Sequence, residues 1–376
     1  MNGTTFVLGR RFSTSGFWRE VRESEATVMQ YVGETCRYLS SAPAEPDPSD
    51  PTKTLDTQHK IRIAFGNGLR ADVWDRFKTR FGIETIAEFY AATEGTSGAW
   101  NYSSNSFSSG AVGRNGVIAG WLLASQVAVV QVDYESEMPV RDAVTGLCVR
   151  APRGEEGELL YALDAADITE KFQGYLGNKA ASRKKVARDV VRKGDAWFRT
   201  GDVLTWDAEG RWWFVDRVGD TFRWKGENVS TAEVAQILGG LEPVQEANVY
   251  GVLVPGTEGR AGCAALVLRD EWSGPTRKDD PITDEEEEKA VLMADLATHL
   301  RTHLPEYAIP LFLRLVKQMQ RTGNMKQQKS TVRAEGLDLD RIEGDYGEEV
   351  WWLKGPAYVR FRREDWAALA GGRVKL

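Results

Sequence analysis

Apolar residues in the first hundred positions follow two rhythms, and the switch between them predicts a strand–helix–strand unit. Ile61-Arg62-Ile63-Ala64-Phe65 is a β-rich run that ends in Gly66-Asn67-Gly68. From Asp72 onward Val73, Trp74, Phe77 and Phe81 fall on one helical face. Thr85 to Tyr90 then resumes a strand pattern and ends in Ala91-Ala92-Thr93-Glu94-Gly95. Upstream, Phe17 to Arg22 reads as a short helix capped by Ser13 or Ser15, Thr27 to Val32 as a β-rich run, and Glu34 to Leu39 as helical. Ala42 to Asp56 carries four prolines and three aspartates, which predicts an exposed loop. Strand–turn–helix–strand at this spacing is half of a doubly wound parallel sheet.

Asn101 to Gly116 is rich in Ser, Asn and Gly and reads as a subdomain boundary. Val117 to Val215 is dominated by short strands and glycine turns, with a basic helix expected over Lys179 to Arg192. After Arg217 the pattern becomes a hairpin, a helix over Thr231 to Leu238, strands at Ala247–Val254 and Cys263–Leu268, a helix over Glu285 to Thr302 and a strand at Leu311–Val316. Ser230 with Glu233 three residues later is a capping box for the first of these helices. The expected fold class is therefore α/β: part of a doubly wound sheet plus a β-rich subdomain over residues 1–217, then a small α+β domain over 218–376. Seven of the ten residues Asp279 to Glu288 are acidic, which suits a solvated insert.

Composition narrows the function classes. The chain has 376 residues, 42% of them hydrophobic, enough for sizeable cores, and a net charge of −7 that argues against nucleic acid as the main partner. Cys36, Cys148 and Cys263 are few and far apart, with neither disulfide nor zinc spacing. The start lacks the layout of a secretory signal, and the longest apolar window, Gly116 to Val132, is short for a spanning helix. Within it Val127-Ala128-Val129-Val130 looks like a buried strand. His299 and His303 are four apart on a helix but have no third ligand near in sequence, and His59 has no partner.

The densest chemistry lies between Asp195 and Val234, with Gly-Asp turns, the Asp216-Arg217 pair, Gly219-Asp220 and Trp224-Lys225-Gly226. Two glycines at Gly66 and Gly68 would let a flat ring approach the backbone, although a plain strand-to-helix turn has the same composition. Thr93 and Glu94 after a strand suit a phosphate contact and Mg2+, which takes oxygen ligands; a lone Thr-Glu pair is more often a helix cap. Asp202 on the Thr200-Gly201-Asp202 turn can accept two hydroxyls, and Arg217 can donate to a sugar or phosphate.

The run from Asp195 to Val234 resembles the hinge region of adenylate-forming enzymes. It is most similar to the fatty acid transport protein / very-long-chain acyl-CoA synthetase branch, in which the TGD and DR…GDTFRWKGENVS segments occur almost letter for letter. The resemblance extends from about Thr5 to the end, through Val112-Gly113-Arg114, Pro139 to Asp142, Pro310 to Arg314 and the TG-x-x-K-x-x-K run from Thr322 to Lys329. It implies that Gly66, Asn67, Gly68 and Tyr90 face adenine, Thr93 the α-phosphate, Glu94 Mg2+, and Asp202 and Arg217 the ribose side. It further implies a hinge at Gly219, a coenzyme A-stage loop at Lys225-Gly226, and Lys326 as the catalytic lysine of adenylation. Ala91 stands where glycine is usual, and Gly219 where Asp or Lys is.

The implied reaction joins a long- or very-long-chain fatty acid to coenzyme A through an acyl-AMP, with ATP and Mg2+, and with coupling to fatty acid uptake as a further implication. Amino acid or aryl acid substrates fit the FRWKGENVS run less well. The family's Ser/Thr/Gly-rich phosphate loop is expected upstream of these segments, and Asn2-Gly3-Thr4-Thr5 is too short to replace it. The alternative is a non-catalytic fragment that binds adenylate weakly or acts through protein contacts, with an open sheet edge as its signature. Peripheral contact with an intracellular membrane is a further expectation. The terminal Arg373-Val374-Lys375-Leu376 is a weak match to peroxisomal tripeptides.

Overall fold

The computed structural model describes residues 3–134, 136–269, 285–320 and 329–373. The chain divides into two compact units, Met1–Gln131 with Val140–Phe214, and Val132–Pro139 with Val215–Leu376.

The first unit holds the expected sheet segment. Strands Val28–Val32, Ile63–Asn67, Thr85–Tyr90 and Ala99–Ser103 lie side by side in that order, the first three parallel and the last antiparallel. Helix Ala71–Phe81 joins the second strand to the third and ends at Gly82 in the left-handed region. Its stripe of Val73, Trp74, Phe77 and Phe81 is no more than 1% exposed and packs with Leu39, Ala64 and Ile86. Full burial of each such side chain is worth about 1.5–3 kcal/mol, so this stripe anchors the unit. Val28–Val32 forms one edge of the sheet.

A second sheet in this unit runs in the order Gly113–Arg114, Arg211–Arg217, Ala196–Trp206, Glu156–Leu163 and Val127–Val130. Val186–Arg188 pairs with Ala196–Trp206 beside this path. The apolar window separates into a short helix, Val117–Leu122, and the fully buried strand Val127–Val130. Among the described residues no helix is long and apolar enough to cross a membrane.

Three expectations are corrected. Ala42 to Asp56 is a small hairpin, Pro46–Asp47 with Asp50–Thr54, because Asp47 and Asp50 each accept a nearby amide and tighten the bend. The basic helix is only Lys179–Lys184. Beyond it Ala187 is buried opposite Trp197 in the sheet, and the chain then bends where the Asp195 carboxylate takes the amides of Val190, Val191 and Arg192. The subdomain boundary expected from Asn101 starts later: Asn101 is a fully buried strand residue of the first sheet, whose amide donates to the Ser108 and Ala111 carbonyls, and the second sheet opens at Gly113–Arg114.

The second unit is built on strands Val244–Val252, Ala261–Leu268, Phe312–Leu315, Glu349–Lys354 and Ala357–Arg360, in that order. Helices Thr231–Gly239 and Glu285–His303 pack against it. The last two strands and helix Arg363–Ala370 carry no prediction above. Arg314 of the PLFLR run is an interior residue, held by Glu335 at 2.7 Å and Glu348 at 2.6 Å.

Candidate functional site

In the first sheet, register puts three residues in one row: Tyr31 lies opposite Gly66, and Gly66 opposite Glu88. The centre of the row has no side chain, so the Tyr31 hydroxyl reaches across it and donates to the Glu88 carboxylate. A Cβ at Gly66 would stand 2.2 Å from the Tyr31 carbonyl oxygen and 2.5 Å from its ring, so only glycine fits. The other Glu88 oxygen accepts the Leu69 amide at 3.2 Å, and the Gly68 amide also favours its charged form. Burial pushes the Glu88 carboxyl up to about 7, although these donors oppose the shift. From below, a Cβ on Gly33 would lie 1.7 Å from the Gly68 carbonyl oxygen. The Gly66-Asn67-Gly68 turn is thus seated on a shaped floor, with Asn67 half-buried and Gly68 exposed.

At the end of the neighbouring strand the Tyr90 hydroxyl donates to the Asp202 carboxylate at 2.5 Å. Burial, and then the charge of Asp202, hold the Tyr90 phenol well above its ordinary range. Thr93 is exposed in the following turn and Glu94 is half-buried, its carboxylate accepting the Tyr175 hydroxyl at 2.8 Å. Burial and Glu94 push the Tyr175 phenol up to about 12.

Asp202 does not lie on a tight turn as expected. It belongs to the continuous strand Ala196–Trp206, where Leu160 pairs with Arg199 and Glu158 with Val203, so Thr200, Gly201 and Asp202 bulge out against Leu159 alone. Bulges of this kind re-aim a side chain at the edge of a site. The bulge is braced by the Thr200 hydroxyl donating to the Leu159 carbonyl at 2.7 Å and by the Gly201 amide donating to Glu158 at 3.1 Å. Glu158 is fully buried and is neutralised by Arg199 at 2.8 Å. Lys185 donates to the Thr200 carbonyl at 2.9 Å.

The remaining sequence-predicted residues belong to the second unit. Arg217 is exposed at the end of its strand. Gly219 has φ +93°, a left-handed value that glycine adopts without strain. Lys225 and Gly226, with φ of +51° and +86°, form the two-residue turn of the hairpin Phe222–Trp224 and Glu227–Val229. The capping box is half present: the Ser230 hydroxyl accepts the Glu233 amide at 3.2 Å and donates to the Val215 carbonyl. Asp216 adds a second anchor, accepting the Thr231 amide at 2.5 Å and its hydroxyl at 2.8 Å. Lys326 and the Thr322–Gln328 stretch around it lie outside the described residues. Lys329, the second lysine of that run, donates to the Thr231 hydroxyl at 2.5 Å and sits 3.3 Å from Asp220.

Sequence reasoning missed Tyr31, Glu88, Glu158, Tyr161, Tyr175, Lys185, Asp216 and Lys329. Tyr161 is buried with a hydroxyl that has no partner among the described residues, and Asp202 acts on its titration. Of these, Asp216 and Lys329 lie inside recognised motifs and carried a local signal. His299 contacts the Ile237 carbonyl and stacks near His303. No group of three or more metal-ligating side chains occurs among the described residues.

The arrangement, a phenol, a carboxylate bulge and a glycine turn at strand ends, belongs to a recognisable class. The AMP-binding enzyme family matches residues 1–162, and the AMP-binding enzyme C-terminal domain matches residues 233–326, together more than half of the chain. The fold agrees with an ATP-bound MatB from Rhodopseudomonas palustris, at a TM-score of 0.59 and 20% identity, over 86% of this chain and 53% of that one. The chain belongs to the AMP-binding enzyme family, on its fatty acid transport protein branch. It is 39% identical to a very long-chain fatty acid transport protein of Cochliobolus heterostrophus, over 100% of this chain and 54% of the relative. It is also 40% identical to isopenicillin N epimerase component 1 of Hapsidospora chrysogena, over 99% of this chain and 58% of the relative. The chain thus spans about half the length of the curated relatives it matches.

Proposed function

We propose that the chain carries the adenosine-binding part and the mobile domain of an AMP-forming fatty acyl-CoA ligase. The observation that carries this reading is the junction of Tyr90 and Asp202, which sets a phenol at the end of one strand against a carboxylate on the bulge of another. In it, Tyr90 and the glycine turn receive adenine, and Asp202, with Arg217, accepts and donates on the ribose side. Thr93 contacts the α-phosphate. Glu94 offers oxygen donors of the kind Mg2+ prefers, and its carboxylate is already oriented by Tyr175. Bound there, the ion would neutralise phosphate charge.

The ionised fatty acid is itself the nucleophile toward the α-phosphorus, so the reaction needs no general base, consistent with three histidines that do not gather at this site. Pyrophosphate leaves with the electron pair of the broken P–O bond. Lys326 stabilises the developing charge, an effect of about 10²–10³ in rate for such a donor. Gly219 then permits the rotation that turns Lys225-Gly226 toward the site, where the coenzyme A thiol gives up its proton and its sulfur attacks the acyl carbonyl carbon, and AMP leaves with the electron pair of the broken C–O bond. The fatty acid transport protein relatives favour a fatty acyl substrate. A relative of similar identity is named for a different role, as an epimerase component.

The test pairs AMP titration with fatty-acid-dependent ATP–pyrophosphate exchange. The chain is expected to bind AMP, with Asp202→Ala weakening it at least about tenfold, as loss of a charged hydrogen-bonding partner should. Exchange is expected when the chain is supplied as part of a full-length ligase and lost there with Lys326→Ala. AMP binding unaffected by Asp202→Ala would overturn the site, and AMP binding with no exchange in the full-length protein would leave an adenylate-binding, non-catalytic function.

A further inference from the structure

We propose that Glu88 is the positioning residue of the Gly66–Leu69 turn, holding its backbone in the shape that receives the adenosine ring. The inference rests on the reading above of that turn as adenine-facing, but its physical basis is separate. Glu88 is 1% exposed, and its carboxylate joins three elements: the Tyr31 hydroxyl from the edge strand, the Leu69 amide at 3.2 Å and the Gly68 amide. The two amides belong to the turn between strand Ile63–Asn67 and helix Ala71–Phe81.

A buried carboxylate without a cationic partner is a costly way to fill a core position, and an apolar residue would pack there without the charge. Among the described residues no Lys or Arg acts on Glu88; the groups that lower its carboxyl are Tyr31 and these two backbone amides. A carboxylate is suited to the task because it accepts several hydrogen bonds at once, and amides following a strand have no intrahelical partner of their own. Gly33 approaches the Gly68 carbonyl so closely that a side chain there would clash, and the carboxylate holds the two amides of the same turn. Tyr31 in turn can reach Glu88 only because Gly66 lies between them.

The test measures amide hydrogen exchange at Gly68 and Leu69, together with AMP titration, in the full chain and in Glu88→Ala, Glu88→Gln and Tyr31→Phe. Glutamine keeps an acceptor for the Leu69 amide and a polar atom for Tyr31, so it serves as the conservative rescue. Glu88→Ala is expected to accelerate exchange at both amides by at least about tenfold and to weaken AMP to a similar degree. Ala64 and Phe65 in the strand should keep their protection. Glu88→Gln should stay within about threefold of the parent on both readouts, and Tyr31→Phe should fall between the two. Unchanged exchange at Gly68 and Leu69 in Glu88→Ala overturns the proposal, as does faster exchange with unaltered AMP affinity. Loss of protection throughout the sheet in every variant would also overturn it, since a merely structural core residue behaves in that way. Failure of the parent itself to bind AMP overturns the adenine-facing reading first, and the exchange data then report separately on whether Glu88 orders the turn.

Discussion

Two buried carboxylates brace two backbone features of the first unit, and they are neutralised in opposite ways. Glu158 supports the Thr200-Gly201-Asp202 bulge through the Gly201 amide, with Arg199 beside it. Glu88 supports the Gly66–Leu69 turn through the Leu69 amide and also accepts the Tyr31 hydroxyl. Arg199 pairs with the Glu158 carboxylate at 2.8 Å, whereas burial drives the Glu88 carboxyl upward to about 7. The same device, a carboxyl acceptor beside a glycine, is therefore ion-paired in one place and sensitive to proton activity in the other.

The largest way to break this contrast is Glu158→Ala. It takes the Glu158 carboxylate away from Arg199, only 8% exposed, and from the Gly201 amide, so stability should fall by about 3–5 kcal/mol in urea denaturation. Replacing both partners by leucine and methionine should recover most of that loss. A small change in the single variant would mean that the pair is not the brace.

Next comes the pH dependence of Glu88. Its folded carboxyl lies near 7, above the ordinary 4.5, so the folded state holds the proton more tightly. The stability linked to this group is complete below about pH 4.5 and is lost as pH rises through about 7, a difference of about 3 kcal/mol. The titratable side chains that act on it, Tyr31 and Cys36, stay neutral over this range, because burial and then Glu88 itself hold both above their ordinary values. Glu88→Gln should therefore become progressively more stable than the parent between pH 5 and pH 8. Parallel stability curves would show that the carboxyl titrates normally.

The smallest effect is expected in the second unit, where the bracing acceptor is a neutral hydroxyl. Ser230→Ala removes the acceptor of the Glu233 amide and the donor to the Val215 carbonyl. It should cost about 1 kcal/mol in the denaturation of that unit. A cost as large as that of Glu158→Ala would mean that the hydroxyl supports more than a helix end.

The candidate site was legible in the sequence as far as short motifs reach. Glu94 and Asp202 stood out by residue type, Gly66-Asn67-Gly68 by composition, and Tyr90 through the family resemblance. Asp202 was nonetheless assigned the wrong backbone, since Thr200-Gly201-Asp202 has the composition of a turn whether it closes a hairpin or bulges within a strand. Lys179 to Arg192 was overextended for a related reason: its charges are compatible with a helix, but Ala187 is claimed by the sheet.

The sequence by itself determined the apolar stripe of helix Ala71–Phe81, the β-rich runs and the cap at Ser230, because each is encoded within a few residues by period or by side-chain reach. Only the tertiary structure decided which distant residues meet. Tyr31 and Glu88 are 57 residues apart, and Glu158 and Arg199 are 41 apart. No local pattern marks such pairs. Strand register and the bulge at Leu159 bring them together, and the low dielectric of the interior then sets their chemistry.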